Sequence, residues 1–417
     1  MKGSMPVIAV IACFDTKYHE LLFVRDKIKS LGCMPLLIDI STGQNPPGID
    51  ITPDVSREEV LRGGGIDISE LGRMDKGTAI MTMADCAAKT ISTLYKDGKF
   101  DGILGMGGLQ NTVICSSALR SLPLGFPKDI CSTIACGNRS FDTVVGDKDI
   151  AVLPSIVDFA GINPISEVVL TNSVAMVIGM VRYGQHKIDT HGEQYIGTTL
   201  MGITNDTVMR AVNDLTAKGL HVISFHSTGV GGRVLESLIR EGVITSVMDL
   251  CLHEMTAEYL GGVGYSRGAN NRLCAAAEMG IPELVCPGGI DFACLSKEDF
   301  LKDEEERGYV WHTKGYLTHT RLWESEILDI TRTIVKRVNA AQGPVEVILP
   351  MGGLRTLSRP GEFFHKPETI MKMKSVFVEE LRKGVIFKTY DLNFDDAEFG
   401  DICAQEMMSL LQAKGKK

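Results

Sequence analysis

Short runs of Val, Ile and Leu alternate with amphipathic stretches along the whole chain, and this alternation predicts repeated strand and helix units on parallel sheets. In the first half the pattern predicts strands over 6–12, 35–40, 101–105, 129–135 and 150–153, with helices over 17–30, 76–96, 109–122 and 165–182. The polar, glycine-punctuated run RYGQHKIDTHGEQ then interrupts the pattern and reads as a linker. Beyond it the alternation restarts, with strands over 195–201, 220–226, 246–251, 344–350 and 384–390 and helices over 206–218, 231–241, 324–341, 366–383 and 395–412. The segment 261–320 carries no clear period. The expected fold class is α/β, two Rossmann-like domains with mainly parallel sheets, over 1–188 and 189–417.

Composition narrows the function classes. The chain has 417 residues, 44% hydrophobic and 23% charged, enough for a sizeable core and for two domains. A net charge of −9 argues against a broad electrostatic grip on nucleic acid. The apolar stretch 168–181 holds Thr171, Asn172 and Ser173, which makes it too short and too polar to span a bilayer, and the opening residues lack a secretory pattern. A soluble, cytoplasmic protein is expected, with no membrane and no nucleic-acid partner. Eleven cysteines without short ligand spacings argue against a disulfide framework and for a reducing compartment.

The 44 glycines exceed the usual share of about 7%. Many follow predicted strands: Gly105, Gly107 and Gly108; Gly229, Gly231 and Gly232; Gly288 and Gly289; Gly352 and Gly353. Each cluster alone reads equally as a tight turn or as a phosphate cradle, and four at corresponding sheet ends favour a ligand crevice. The motif M-G-G-L occurs in GMGGLQNT and PMGGLRTL, each between a strand and a helix, a weak sign of duplication. No GxxxxGK[ST] motif is present, and GVGGRV lacks the last glycine of a dinucleotide fingerprint.

Polar residues at the same ends supply candidate chemistry. Asp15 and Thr16 are placed to cap the first helix, with Lys17 reaching a phosphate. Asp39, followed by Ser41 and Thr42, is placed to accept from a ribose hydroxyl. Arg73 and Lys76 oppose the dipole preference at a helix start, which suggests an anion to neutralise. Cys136 to Ser140 offer further donors, and Asn172 is expected as a satisfied core amide rather than a ligand contact. His226, with Glu254 and Asp291, is the candidate acid/base set. It would suit an enzyme acting on a small carboxylate or phosphorylated metabolite between the domains. The run 303–306 reads as a solvated helix face.

The run STGQNPPGIDITPDV, the GMGGLQNT turn, ACGNRSF with VGDKDIAVLPSIVDFAGINPIS, and later HSTGVGGR and CPGGIDF resemble the UPF0261 family, also called Tm-1-like ATP-binding proteins. The resemblance covers essentially the whole chain. It implies two Rossmann-like domains, ATP with magnesium on the first, and a homodimer. It also implies a partner, because plant relatives fuse this region to a TIM-barrel segment similar to phosphoenolpyruvate hydrolases; here such a barrel would be a separate protein. The expected nucleotide contacts are Asp15, Thr16, Lys17, Asp39, Ser41, Thr42, Arg73, Lys76, Gly105, Gly107, Gly108, Asn111 and Thr112. Magnesium is expected on Asp15 or through phosphate-bound water, with no dedicated protein metal site.

Overall fold

The computed structural model describes residues 5–43, 51–135, 142–296, 299, 301–312 and 316–414. The chain divides into two compact units, Met1–Asp189 and Thr190–Lys417.

In the first unit β1 (Val7–Ala12), β2 (Met34–Asp39), β3 (Gly102–Gly107), β4 (Lys128–Ser132) and β5 (Ala151–Pro154) form, among the described residues, one parallel sheet in the order β2-β1-β3-β4-β5. β1 is apolar at successive positions because both faces are covered. Ala9 and Ile11 pack with the helices Lys76–Lys96 and Leu109–Arg120, while Ile8 and Val10 pack with Tyr18–Ser30 and Pro164–Tyr183. The last helix is long and apolar enough to cross a membrane by length and composition, so the sequence-based exclusion was too strict. Its Leu170, Val174, Val177 and Ile178 lie in the core against the sheet. Asn172 is exposed rather than a core amide; the buried neighbour is Ser173, whose hydroxyl donates to the Asp129 carboxylate.

The second unit contains β6 (Tyr195–Leu200), β7 (His221–His226), β8 (Ile244–Cys251), β9 (Glu283–Gly288), β10 (Phe292–Ser296), β11 (Tyr309–His312), β12 (Leu317–Arg321), β13 (Val345–Pro350) and β14 (Ile386–Tyr390). Six of them form a parallel sheet in the order β14-β13-β9-β8-β6-β7. β10, β12 and β11 form a separate antiparallel sheet in the stretch where the sequence shows no period. Both parallel sheets start with the same arrangement, the second strand outside the first and the third on its other side. The M-G-G-L motifs do not mark that correspondence. One follows the third strand of its unit and the other the fifth strand of the parallel sheet. Only the first opens a long helix, since the second leads into a short 3-10 turn, Thr356–Ser358.

The run 303–306 also differs from expectation. Glu304 is buried and accepts from the hydroxyls of Thr318 and Thr320, so the antiparallel sheet draws one carboxylate inward.

Candidate functional site

In an open parallel sheet the crevice forms where strand order reverses, beyond the carboxyl ends of the strands. In the first unit this point lies between β1 and β3. β1 leads into Cys13-Phe14-Asp15, and β3 ends at Gly107, with φ +145°, followed by Gly108, the N-cap of the helix Leu109–Arg120. The first-turn N–H groups of that helix have no intrahelical acceptor, and among the described residues no side chain caps them.

A polar network lines the same edge. The Asp39 carboxylate accepts from the backbone N–H groups of Phe14 (3.4 Å) and Ser41 (2.9 Å) and from the Ser41 hydroxyl. That hydroxyl accepts from the Asp15 N–H at 3.1 Å, and Asp15 Oδ2 accepts from the Gly43 N–H at 3.1 Å. Gln110 Nε2 donates to Thr42 Oγ1 at 2.6 Å. The Cys13 thiol donates to Asn111 Oδ1 at 2.7 Å, which turns the amide so that its NH2 points the other way. Thr112 Oγ1 bonds the Gly108 carbonyl at 2.8 Å and shares a hydrogen bond with Ser132 Oγ at 2.7 Å. Two atoms of this network, Asp15 Oδ1 and Asn111 Nδ2, are buried without a hydrogen-bond partner. A buried orphan polar atom costs about 1–3 kcal/mol, so a donor and an acceptor left open together are informative.

Burial raises the Asp39 carboxyl above its ordinary range, opposed by its bonds from Ser41 and Phe14. It also pushes the Cys13 thiol well up, with Asp15 adding to the effect, so this cysteine is a hydrogen-bond donor and not a nucleophile.

Several expected contacts take other roles. Asp39 is buried and holds the β1 and β2 ends together, so its carboxylate is not set out for a ribose. Asp15 and Thr16 do not cap the first helix, whose N-cap is Lys17 with no side-chain cap bond; Asp15 is drawn to Gly43 and Thr16 is exposed. The Lys17 ammonium donates to the Phe159 carbonyl at 2.5 Å. Gly105 lies inside β3, where a Cβ would sit 2.9 Å from Cys115 Cβ, so it is a packing glycine. Arg73 and Lys76 flank Asp75, which caps the long helix through the N–H groups of Gly77 (2.9 Å) and Thr78 (3.1 Å). The anion at that helix start is therefore the protein's own carboxylate. Among the described residues, no hydrogen bond joins Arg73 or Lys76 to the β1/β3 edge. Cys136 to Ser140 lie outside the described residues.

The second unit fills its corresponding point from within. Glu254 Oε1 accepts from the N–H groups of Gly229 (2.6 Å) and Gly232 (3.1 Å), so the HSTGVGGR loop already holds an anion. Arg272, fully buried, locks that carboxylate at 2.7 Å and also pairs with Asp249 at 2.7 Å and Glu236 at 3.0 Å. A Cβ on Gly232 would meet Glu254, and one on Gly231 would meet the His226 carbonyl. Gly288 packs on the Leu250 carbonyl and Phe394, and Gly352 and Gly353 pack on the turn at Leu392 and Asn393. These glycines allow close internal approach, and the four clusters are not equivalent ligand turns.

The acid/base set is not assembled. His226 is exposed at the end of the edge strand β7, Glu254 is sealed beneath Arg272, and Asp291 pairs with Arg355 at 3.2 Å. Burial lowers the His226 pKa. Sequence reasoning missed Cys13 and Gln110 as members of the network, and it missed Arg272 and Arg355. Arg355 directly follows M-G-G-L, but its burial depends on partners far along the chain. Among the described residues no group of three or more His, Cys, Asp or Glu side chains converges as a metal site.

Comparison with known proteins agrees with the two-unit division of the chain. Residues 6–186 match the model described as the Uncharacterised protein family (UPF0261) N-terminal domain, and residues 193–411 match its C-terminal domain. A UPF0261 protein of Clostridium tetani is 31% identical over 408 residues, covering 97% of this chain and 99% of that one. The ToMV resistance protein Tm-1(GCR237) of Solanum lycopersicum is 28% identical over 98% of this chain, which spans 56% of the tomato protein. Among solved structures, a UDP-N-acetylglucosamine 2-epimerase from Listeria monocytogenes is 11% identical, covers 68% of this chain and 79% of its own, and superposes with a TM-score of 0.25, a likeness that carries no argument. The two family domains, matched in order over nearly the full length, make this chain a member of the UPF0261 family.

Proposed function

We propose that this chain is an ATP-binding protein and that the nucleotide sits at the β1/β3 edge of the first unit. The observation that carries this reading is the pair of buried, unpartnered atoms, Asp15 Oδ1 and Asn111 Nδ2, beside an uncapped helix N-terminus. The donor set fits a phosphate chain. Asn111 and the first-turn N–H groups would receive phosphate oxygens, with the helix dipole favouring negative charge. Gly108 leaves the approach open, because among the described residues a Cβ there would meet only Thr133 Oγ1, at 3.6 Å, an ordinary contact. Asp15 would accept from a hydroxyl or from water around a magnesium ion that travels with the nucleotide. Bound magnesium would neutralise phosphate charge.

The test uses the open space at Gly108. Its φ of −82° suits any residue, so Gly108→Val should fold and yet block the approach. Wild type at 100 times its Kd for ATP gains about 2.7 kcal/mol of stability. The variant should lose that gain while keeping its nucleotide-free melting temperature. A shift unchanged in Gly108→Val places the nucleotide elsewhere.

A cytoplasmic homodimer that assembles with a TIM-barrel, phosphoenolpyruvate-hydrolase-like protein belongs to the same proposal. Its support is the family resemblance, together with the tomato proteins extending well beyond the matched region. Light scattering on the purified chain, with and without ATP, tests the dimer.

A further inference from the structure

A narrow pocket in the second unit has an apolar floor and a cationic rim. Leu322, Ile327, Leu354, Ile370 and Met373 make the floor with the buried Ser358 and Thr369, and the less buried Arg321 and Lys366 stand at the rim beside Asp291. The charges do not cancel. Asp291 is engaged by Arg355 at 3.2 Å and by the Ser358 hydroxyl. Glu324, the other nearby acid, accepts from Lys372 and from Thr369 Oγ1. Arg321 forms no ion pair among the described residues. It lies over the Phe363 ring at 3.6 Å and donates to the Phe363 carbonyl, and burial lowers its pKa.

Behind the rim, Arg355 is fully buried between the rings of Phe292 and Phe364, at 3.8 and 3.9 Å. Its Nη2 is buried without a partner. Asp291 matches this charge at Nε, at 3.2 Å, which leaves Arg321 and Lys366 as the lining cations with no ion pair among the described residues. A half-buried guanidinium and an exposed ammonium beside an aliphatic floor favour an anion with a short apolar body, because a fully hydrated anion gains nothing from the floor.

We propose that this pocket binds a short-chain aliphatic monocarboxylate, its carboxylate paired with Arg321 and Lys366 and its chain on the Leu354, Ile370 and Met373 floor. The site is separate from the nucleotide edge and does not depend on that reading.

Isothermal titration of the full-length protein with acetate, butyrate and hexanoate, and with inorganic phosphate as a comparison, tests the proposal. Affinity should rise from acetate to butyrate, and phosphate should compete at least tenfold less well than butyrate. Arg321→Gln should weaken butyrate binding at least tenfold while leaving the ATP-induced thermal shift unchanged. Lys366 is exposed, so Lys366→Gln should fold and weaken butyrate several-fold, which keeps the test decisive if the arginine variant misfolds. Absence of carboxylate binding, phosphate competing as well as butyrate, or wild-type affinity in Lys366→Gln overturns the proposal.

Discussion

Asp129 offers a quantitative test of how the first unit is packed. It lies in β4, fully buried, with one carboxylate oxygen bonded to Ser173 on the helix Pro164–Tyr183 and the other, Oδ1, without a partner. Burial pushes its pKa from an ordinary 3.8 up to about 7, against the lowering effect of the Ser173 bond. Because the folded-state value lies above the unfolded one, the folded protein binds the extra proton between these limits. Stability therefore falls as pH rises from about 4 to about 7. At 1.36 kcal/mol per pH unit the full cost approaches about 4 kcal/mol, of which about 2.3 kcal/mol accrues between pH 5 and pH 7 and about 2.6 kcal/mol by pH 8.

Asp129→Asn keeps an acceptor for Ser173 and removes the titration. Urea unfolding of both proteins from pH 5 to pH 8 should show the stability difference moving in favour of the variant by up to about 2.6 kcal/mol, levelling above pH 7. Other buried carboxyls, such as Glu283, titrate equally in both proteins and cancel in the difference. A difference that stays flat across this range would refute the burial argument.

Three further outcomes follow from the same physics. His253 bonds the Gly289 carbonyl at 2.8 Å, and burial holds its pKa down to about 4; stability should thus fall as pH drops from about 6.5 toward 4, and His253→Phe, which preserves the stacking on Phe292, should flatten that limb in an acid-unfolding series. Glu254→Gln removes one of the three carboxylates on buried Arg272 and weakens the acceptor of the Gly229 and Gly232 N–H groups; it should cost about 1–3 kcal/mol in chemical denaturation, without changing the ATP-induced thermal shift. Gly107→Val should destabilise the nucleotide-free protein, because Gly107 has φ +145° and a Cβ would collide with Asn111, whereas Gly108→Val should not; comparing their melting temperatures separates a strained turn from an open approach.

Strands such as β1 and β13 were legible because a strand covered on both faces must be apolar throughout, and the helix Lys76–Lys96 because its period is long and unbroken. The short helices Arg57–Gly63 and Ile68–Leu71 were missed although their capping boxes, Ser56 with Glu59 and Asp67 with Glu70, stand in the sequence. The antiparallel insertion was illegible because its strands are short and rich in polar and aromatic residues. The site was legible only in part. Glycine positions mark close approach without saying what approaches: Asn111 beside Gly107, Glu254 beside Gly232, Asn393 beside Gly353. Burial of Arg272 depends on acids 18 to 36 residues away, a separation that no local pattern encodes.

The central claim is that ATP occupies the β1/β3 edge of the first unit, and Asn111 tests it most directly. Asn111→Leu removes the unpartnered Nδ2, so calorimetric titration with magnesium ATP should show tight binding to the wild type and a loss of at least tenfold in the variant, with the fold intact by circular dichroism. Equal affinity in the two proteins, or no binding to the wild type, would contradict the account.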